Sequence, residues 1–238
     1  MVSAGGMFTF YETISIGLWF AVVGYKFLMF GYFLLIRYRK SKRIYWLYFA
    51  LFFIFLAISR VMYIVHDYFI SPDDTTDLTI MWKYANSTAW IAVAAASGIL
   101  STLLFTGESK FHMIVKIIFP IVPLVVAAFV VFIPASWVNE KTIIFPVLSY
   151  TVSLTIVQFY FDAIILLAYI VLLPFMFFYL AKKSVGTLAR SFFLNGIGFL
   201  LYFAVRAVQA FIVTIWSPLL ILLSILIIAF ANQYEHLK

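Results

Sequence analysis

Seven mainly apolar stretches recur along this chain, most of them at least about 20 residues long, the length that a helix needs to cross the hydrocarbon core of a bilayer; the last is shorter. Backbone amides find no water in that core, so a segment that crosses it must satisfy its own hydrogen bonds, as a helix does. Charged residues make up only 11% of the 238 residues, whereas soluble domains are about one quarter charged. The sequence therefore predicts an integral membrane protein.

The predicted fold is an all-α bundle of seven transmembrane helices that forms a single domain over residues 1–238. The connection 135–150 is rich in Ile, Phe, Pro and Trp, so we expect it to lie against the bundle or in the membrane interface. The N-terminal stretch has neither a basic region nor an obvious cleavage site, and we interpret it as a short external tail. The predicted spans are Ile14–Ile36, Ile44–Phe69, Ala85–Phe105, Met113–Pro134, Val152–Leu180, Ser191–Ile215 and Pro218–Ala231.

Basic residues are distributed unevenly between the two sides of the predicted bundle. Most of them lie in the connections after spans 1, 3 and 5 and at the C-terminus, whereas the opposite side has Lys83, Lys141 and the acidic run SPDDTTD. By the positive-inside rule the N-terminus is outside and the C-terminus is cytoplasmic, in a multi-pass protein of the cell membrane. The net charge of +7 then reflects topology, and no nucleic-acid partner is expected.

The same basic residues are candidates to face a partner at the cytoplasmic side. Orientation alone is the simpler interpretation, but such clusters also attract anionic membrane lipids or a cytoplasmic signalling protein. The predicted partner-facing residues are Arg37, Arg39, Lys40, Lys42 and Arg43 after span 1, and Lys182 and Lys183 after span 5.

Small residues on spans 1 and 3 predict close helix packing. Gly17, Gly24 and Gly31 recur every seven residues in span 1, and span 3 contains the alanine-rich run 92–98. Small side chains let two backbones approach closely in a membrane, where lipid supplies no hydrophobic drive. We expect both sets to pack within the chain rather than in a dimer.

Polar side chains form stripes on spans 2, 5 and 6, in the halves that the predicted orientation places outside. Within each stripe, residues three, four or seven apart share one face of a helix. Ionisable residues inside a membrane are candidates for function, because burying a charge in hydrocarbon is costly. The predicted ligand-binding residues are Arg60, Tyr63, Gln158, Asp162, Tyr202, Arg206 and Gln209.

These charges have two interpretations, and we give them similar weight. In the first, Asp162 neutralises Arg206 or Arg60 in a buried ion-pair network. In the second, arginines outnumber carboxylates and bind a small anionic ligand, because the forked guanidinium group matches a carboxylate or a phosphate. Lys26, near the middle of span 1, is expected to snorkel toward the cytoplasmic interface.

Other chemistry has little support in the sequence. The chain has no cysteine, and its three histidines are scattered along it, so we predict neither a zinc site nor a haem site. No glycine-rich phosphate loop follows a strand, and no spacing suggests a nucleophile and its base. We therefore expect no enzymatic activity and no cofactor.

Seven spans, an external N-terminus and almost no extramembrane mass resemble the seven-helix receptors, including microbial rhodopsins and the sensor modules that prokaryotes attach to histidine kinases. The seventh span, PLLILLSILIIAF, lacks the lysine that binds retinal in rhodopsins. The third span ends SGILSTLLF, without the acid-arginine-aromatic triplet of G-protein-coupled receptors, and the Asn-Pro pair of their helix 7 is missing too. Since the chain carries no kinase domain, the resemblance implies signalling through a separate partner.

Two functions follow from this reading. The first is a receptor-like protein that senses a small ligand from the outer side. In the second interpretation of the buried charges, this ligand is an anion. The second is a transporter or an ion or proton channel that uses Arg60, Asp162 and Arg206 along a permeation path. The inner halves of the spans carry few polar residues and the chain shows no clear two-half repeat, so the receptor is favoured.

Overall fold

The structure is a computed structural model. It describes residues 10–71, 73–105, 107, 109–132, 135–144, 147–154, 171–208 and 215–233, with side chains except at 11, 135–154 and 206–208. Within these residues, six helices are long and apolar enough to cross a membrane. The prediction of a multi-pass helical membrane protein is confirmed at this level, whereas the count of seven spans and the orientation remain predictions.

The first helix, α1, runs from Phe10 to Gly31 and then changes its winding. It continues as a π-helix over Tyr32–Tyr38 and as a short α-helical turn over Arg39–Ser41. The helix ends where Lys42 adopts a left-handed conformation with φ 55°, the usual geometry just after a helix C-terminus. A π-helical stretch is rare and is often found at functional sites.

Helices α2, Ile44–Tyr68, and α3, Thr75–Leu104, pack against each other along the bundle. Helix α3 begins ten residues before its predicted start at Ala85. The Asp74 side chain caps it by accepting a hydrogen bond from the Asp77 backbone N–H at 3.0 Å. The predicted start at Ala85 marks only the beginning of the apolar stretch, whereas a capped helix can extend beyond the hydrocarbon.

Helix α4, Lys110–Phe132, contains two prolines and packs against α3. It is followed by an antiparallel hairpin of β1, Ala135–Ile144, and β2, Val147–Leu154, which the sequence reading did not predict. The strand β2 occupies the predicted start of span 5, at Val152. The runs TII and VLSYTVS are rich in β-branched residues, which favour strands over helices.

The C-terminal part of the bundle contains α5 at residues 171–183, α6 at Gly186–Val208 and α7 at Trp216–Gln233. Helix α5 covers the end of the predicted fifth span, and residues 155–170 of that span lie outside the described residues. Gly186, with φ +64°, takes a left-handed conformation that glycine adopts without strain in the turn between α5 and α6. Helix α7 packs against α6 and α1, so the first and last described helices are neighbours in the bundle.

The two sets of small residues have different environments. The run 92–98 of α3 is buried as predicted, and a Cβ atom on Gly98 would lie 2.5 Å from the Tyr48 ring. On α1, by contrast, Gly17 and Gly24 are exposed, and a Cβ added to either would meet no heavy atom within 4 Å. The prediction that the glycines of α1 pack within the chain is therefore wrong for these two positions.

Candidate functional site

Two buried cations line a small chamber inside the helix bundle. We call the end of the bundle with Asp74 and Asp77 the acidic end, and the end with Arg39 and Arg43 the basic end. The chamber holds about 10 Å³, which is the space of roughly one water molecule. Helices α1, α2, α3, α6 and α7 supply its walls. The lining residues are Trp19, Lys26, Leu56, Ser59, Arg60, Tyr63, Ala89, Tyr202 and Ile221.

Lys26 points into the bundle. Its side chain is only 2% exposed, and Nζ donates a hydrogen bond of 3.3 Å to the backbone carbonyl oxygen of Leu56. The ammonium also lies 5.7 Å from the centroid of the Tyr202 ring, within the range of a cation–π interaction. Leu56 is in the middle of α2, so the cation is held deep in the bundle. The expected snorkelling of Lys26 toward the cytoplasmic interface is therefore wrong.

Arg60 lies one helical turn beyond Leu56 toward the acidic end and is 4% exposed. Its guanidinium carbon is 3.2 Å from the centroid of the Trp19 ring, which stacks the planar cation on the indole. Asp67 approaches it from the rim, with 3.7 Å between Arg60 Nη2 and Asp67 Oδ2. His66 Nδ1 is 2.8 Å from the other carboxylate oxygen. Arg60 thus has a carboxylate and an aromatic face as partners.

Polar side chains next to the chamber tie the surrounding helices together. Ser59 donates a 2.8 Å hydrogen bond to the Ala85 carbonyl oxygen, and Tyr63 donates one of 2.6 Å to Asn86 Oδ1, so these bonds tie α2 to α3. At the acidic end, Ser15 on α1 and the Tyr68 hydroxyl on α2 are 3.0 Å apart. These bonds fix the position of Arg60 from both sides along α2.

Aromatic rings close the chamber toward the basic end. The ring of Phe33, in the π-helical part of α1, stacks on those of Phe49 and Phe53 at centroid distances of 4.9 and 5.6 Å. Phe52 packs against Phe199 of α6 at 5.2 Å. All five side chains are fully buried. We call this set the aromatic floor, and in the described part of the bundle it separates Lys26 from the basic end.

The structure describes the side chains of only some of the predicted ligand-binding residues. Arg60, Tyr63 and Tyr202 come together in the chamber, although they come from two helices that are far apart in sequence. Arg206 is part of α6, one turn from Tyr202, but its side chain is not described. Gln158, Asp162 and Gln209 lie outside the described residues, so the predicted bond between Asp162 and an arginine stays a prediction.

Trp19 was missed by the sequence reading, and so was the inward orientation of Lys26. An apolar ring in an apolar span carries no sign that it will stack on a cation from another helix. For Lys26 a signal was present, since a lysine near the middle of a span is too far from either interface to reach it at low cost.

The predicted partner-facing residues divide into two groups. Arg37 is buried: Nη2 donates a 2.6 Å hydrogen bond to the Asn232 carbonyl oxygen near the end of α7, and the guanidinium lies 4.3 Å from the Trp46 ring centroid. Its prediction as a partner-facing residue is wrong, because carbonyls in the last turn of a helix lack helical partners and attract a cation. The exposed residues are Arg39, Lys40, Lys42, Arg43, Lys182 and Lys183.

Asn232 also links α7 to α6. Its side-chain amide donates a 3.0 Å bond to Asn195 Oδ1, and Asn195 Nδ2 lies 3.4 Å from Asn232 Oδ1. With the bond from Arg37, the residue joins the end of α7 to α6 and to the π-helical continuation of α1. We call Arg37, Asn195 and Asn232 the basic-end cluster.

Comparisons of the chain with protein-family models, curated sequences and solved structures give no match. The geometry of the chamber is therefore the basis for a functional argument.

Proposed function

We propose that this protein is a receptor-type membrane protein in which a small anion, entering from the acidic end, binds beside Lys26 and Arg60. The observation that carries the proposal is the chamber lined by two buried cations, with the buried rings of the aromatic floor on its basic-end side. The acidic end faces outward in this proposal, in keeping with the positive-inside rule. A polar site with packed, buried aromatic rings on its basic-end side suits sensing better than permeation.

Charge supports an anion as the ligand. The predicted spans contain Lys26, Arg60, Lys116 and Arg206 against Asp67 and Asp162, so basic residues outnumber carboxylates however they pair. A bound anion would add a counter-charge between two cations that lie in the same chamber. The volume of about 10 Å³ favours a species close to water in size, such as a halide or formate, over a larger organic acid.

The route from chamber to partner runs along α1. From Lys26 the helix passes Phe33 in the aromatic floor and reaches Arg37 in the basic-end cluster. The π-helical winding over Tyr32–Tyr38 lies between these points, and its change to α-helical winding would rotate Arg37 relative to Lys26. The exposed basic residues after Arg37 would then present the change to a cytoplasmic signalling partner.

The alternative is a transporter or channel, and one observation favours it. Lys26 is held at the depth of Leu56, which is twelve residues from each end of α2, and cations so deep in a membrane often mark an ion path. Permeation would require the aromatic floor to open. Ion flux into liposomes reconstituted with the protein tests this alternative directly, since a receptor that only senses an anion moves none.

Anion-dependent thermal stability tests the proposed receptor. The purified protein is titrated with chloride or formate against gluconate at constant ionic strength, because a ligand that binds only the folded state raises the unfolding temperature. We expect the wild type to be stabilised by the small anions, and Arg60→Lys and Lys26→Met to lose most of that stabilisation.

The control variant is Arg39→Gln, which removes an exposed positive charge at the basic end and should leave the anion effect unchanged. Arg60→Lys keeps the charge and loses the planar fork that stacks on Trp19, so it separates geometry from net charge. Stabilisation by all salts alike, or an equal loss in Arg39→Gln, would contradict the proposal.

A further inference from the structure

An open groove lies between α5 and α6 at the basic end, on a different part of the surface from the chamber. Its volume is about 640 Å³, within the range of roughly 300–1,000 Å³ that is usual for ligand pockets. Helix α5 contributes the wall on one side and the first turns of α6 the other. The lining residues are Phe178, Ala181, Lys182, Ala189, Arg190, Phe193 and Leu194. We call it the basic-end groove.

The groove combines two cations with an apolar wall. Lys182 and Arg190 are both exposed and stand on opposite sides of the tight turn at Gly186. Phe193 remains 52% exposed although it packs against Phe178 at 5.6 Å between ring centroids. An aromatic side chain this exposed leaves apolar surface available next to the two charges.

The sequence around the groove provides no acidic residue to balance these charges. Neither Asp nor Glu occurs anywhere in residues 163–234, so α5 and α6 carry only basic charge and α7 carries none. The cations also belong to the side of the bundle where basic residues concentrate, at the level where lipid headgroups meet a membrane helix. A ligand that matches the groove has a negative headgroup and a hydrocarbon chain.

We propose that the basic-end groove binds an anionic phospholipid, with its phosphate between Lys182 and Arg190 and one acyl chain along Phe193 and Leu194. Basic pockets between transmembrane helices are suited to acidic headgroups, and each cation near the surface attracts such a lipid. Bound there, the lipid would bridge α5 and α6. This proposal is independent of the anion chamber, because the two sites share no residue.

Lipid affinity measured by native mass spectrometry on the detergent-solubilised full chain tests this site. The probes are phosphatidylglycerol and phosphatidylcholine with the same two oleoyl chains, and glycerol 3-phosphate as a headgroup without chains. We expect phosphatidylglycerol to bind most tightly. Lys182→Gln and Arg190→Gln should each weaken it about fivefold, and the double variant about 30-fold, with phosphatidylcholine unaffected.

The charge-matched control is Lys110→Gln with Lys183→Gln, which removes two exposed lysines outside the groove and should change the affinity less than about twofold. Phe193→Ser should weaken both lipids, since it shortens the apolar wall. Equal losses in the control and groove variants would overturn the proposal, as would equal binding of the two lipids or tight binding of glycerol 3-phosphate. If the double variant does not fold, the two single variants decide the question.

Discussion

Gly198 is the position where α6 and α7 approach each other most closely among the described glycines of these two helices, and its replacement by alanine gives a sharp test of the packing. A Cβ atom there would lie 2.5 Å from Ile228 Cγ1, 3.1 Å from the Ser224 carbonyl oxygen and 3.3 Å from the Ile228 backbone nitrogen. Two of these atoms belong to the backbone, so a side-chain rotation cannot relieve the contact. The helices would have to separate by about 0.4 Å to bring the backbone contacts back to an ordinary distance of roughly 3.5 Å, and the Ile228 side chain would have to shift further.

Gly24→Ala is the matched control, because a Cβ at Gly24 meets no atom within 4 Å. Both substitutions place alanine inside a helix and share the same gain in helix propensity, about 1 kcal/mol at most. The difference between the two variants therefore isolates the steric effect. Overpacking of a well-packed site costs about 1–3 kcal/mol, and we expect Gly198→Ala to be less stable than Gly24→Ala by that amount.

Unfolding in mixed micelles with an increasing fraction of dodecyl sulfate, followed by circular dichroism, measures the free-energy difference for both variants. The reasoning would be refuted if the two variants were equally stable, or if Gly198→Ala were the more stable. A loss of stability in Gly24→Ala would show that the exposed face of α1 is covered by something, and the assignment of this glycine to an outward face would fail.

Three further predictions follow from the sites described above. Arg37→Met should lower the free energy of unfolding by about 1.5–3 kcal/mol, because it removes a charged hydrogen bond to Asn232. Arg39→Met, which replaces an exposed residue nearby, should change the free energy of unfolding by less than about 0.5 kcal/mol. The same micelle titration measures both variants, and equal effects would contradict the basic-end cluster. Labelling of intact cells should reach a cysteine introduced at Asp74 and not one at Ser41, and the reverse pattern would overturn the proposed orientation. The protein should stay colourless after incubation with retinal, because α7 has no lysine and the chamber beside Lys26 has a volume of only about 10 Å³. A visible absorption band that hydroxylamine bleaches would disprove this prediction.

The chain's class could be predicted from the sequence because it depends on the hydropathy of whole segments. Hydrocarbon admits only backbone that satisfies its own hydrogen bonds, so a long apolar stretch predicts a helix whatever its neighbours are. Six of the seven predicted spans overlap most of a described helix, and the helix 171–183 covers the end of the remaining one, the fifth. The candidate arginine Arg60 could be found in the same way, since a charge in an apolar span is conspicuous by itself.

The tertiary structure decided which face of each helix turns inward. Lipid tails are as apolar as a leucine-rich core, so the pattern along a membrane helix does not mark its packed face as it does in water. The alanine run on α3 is buried while Gly17 and Gly24 on α1 are exposed, although both are stripes of small residues. Lys26 and Arg37 face the bundle because carbonyl oxygens of α2 and α7 lie within reach of them, and those carbonyls come from segments 30 and 195 residues away in the chain.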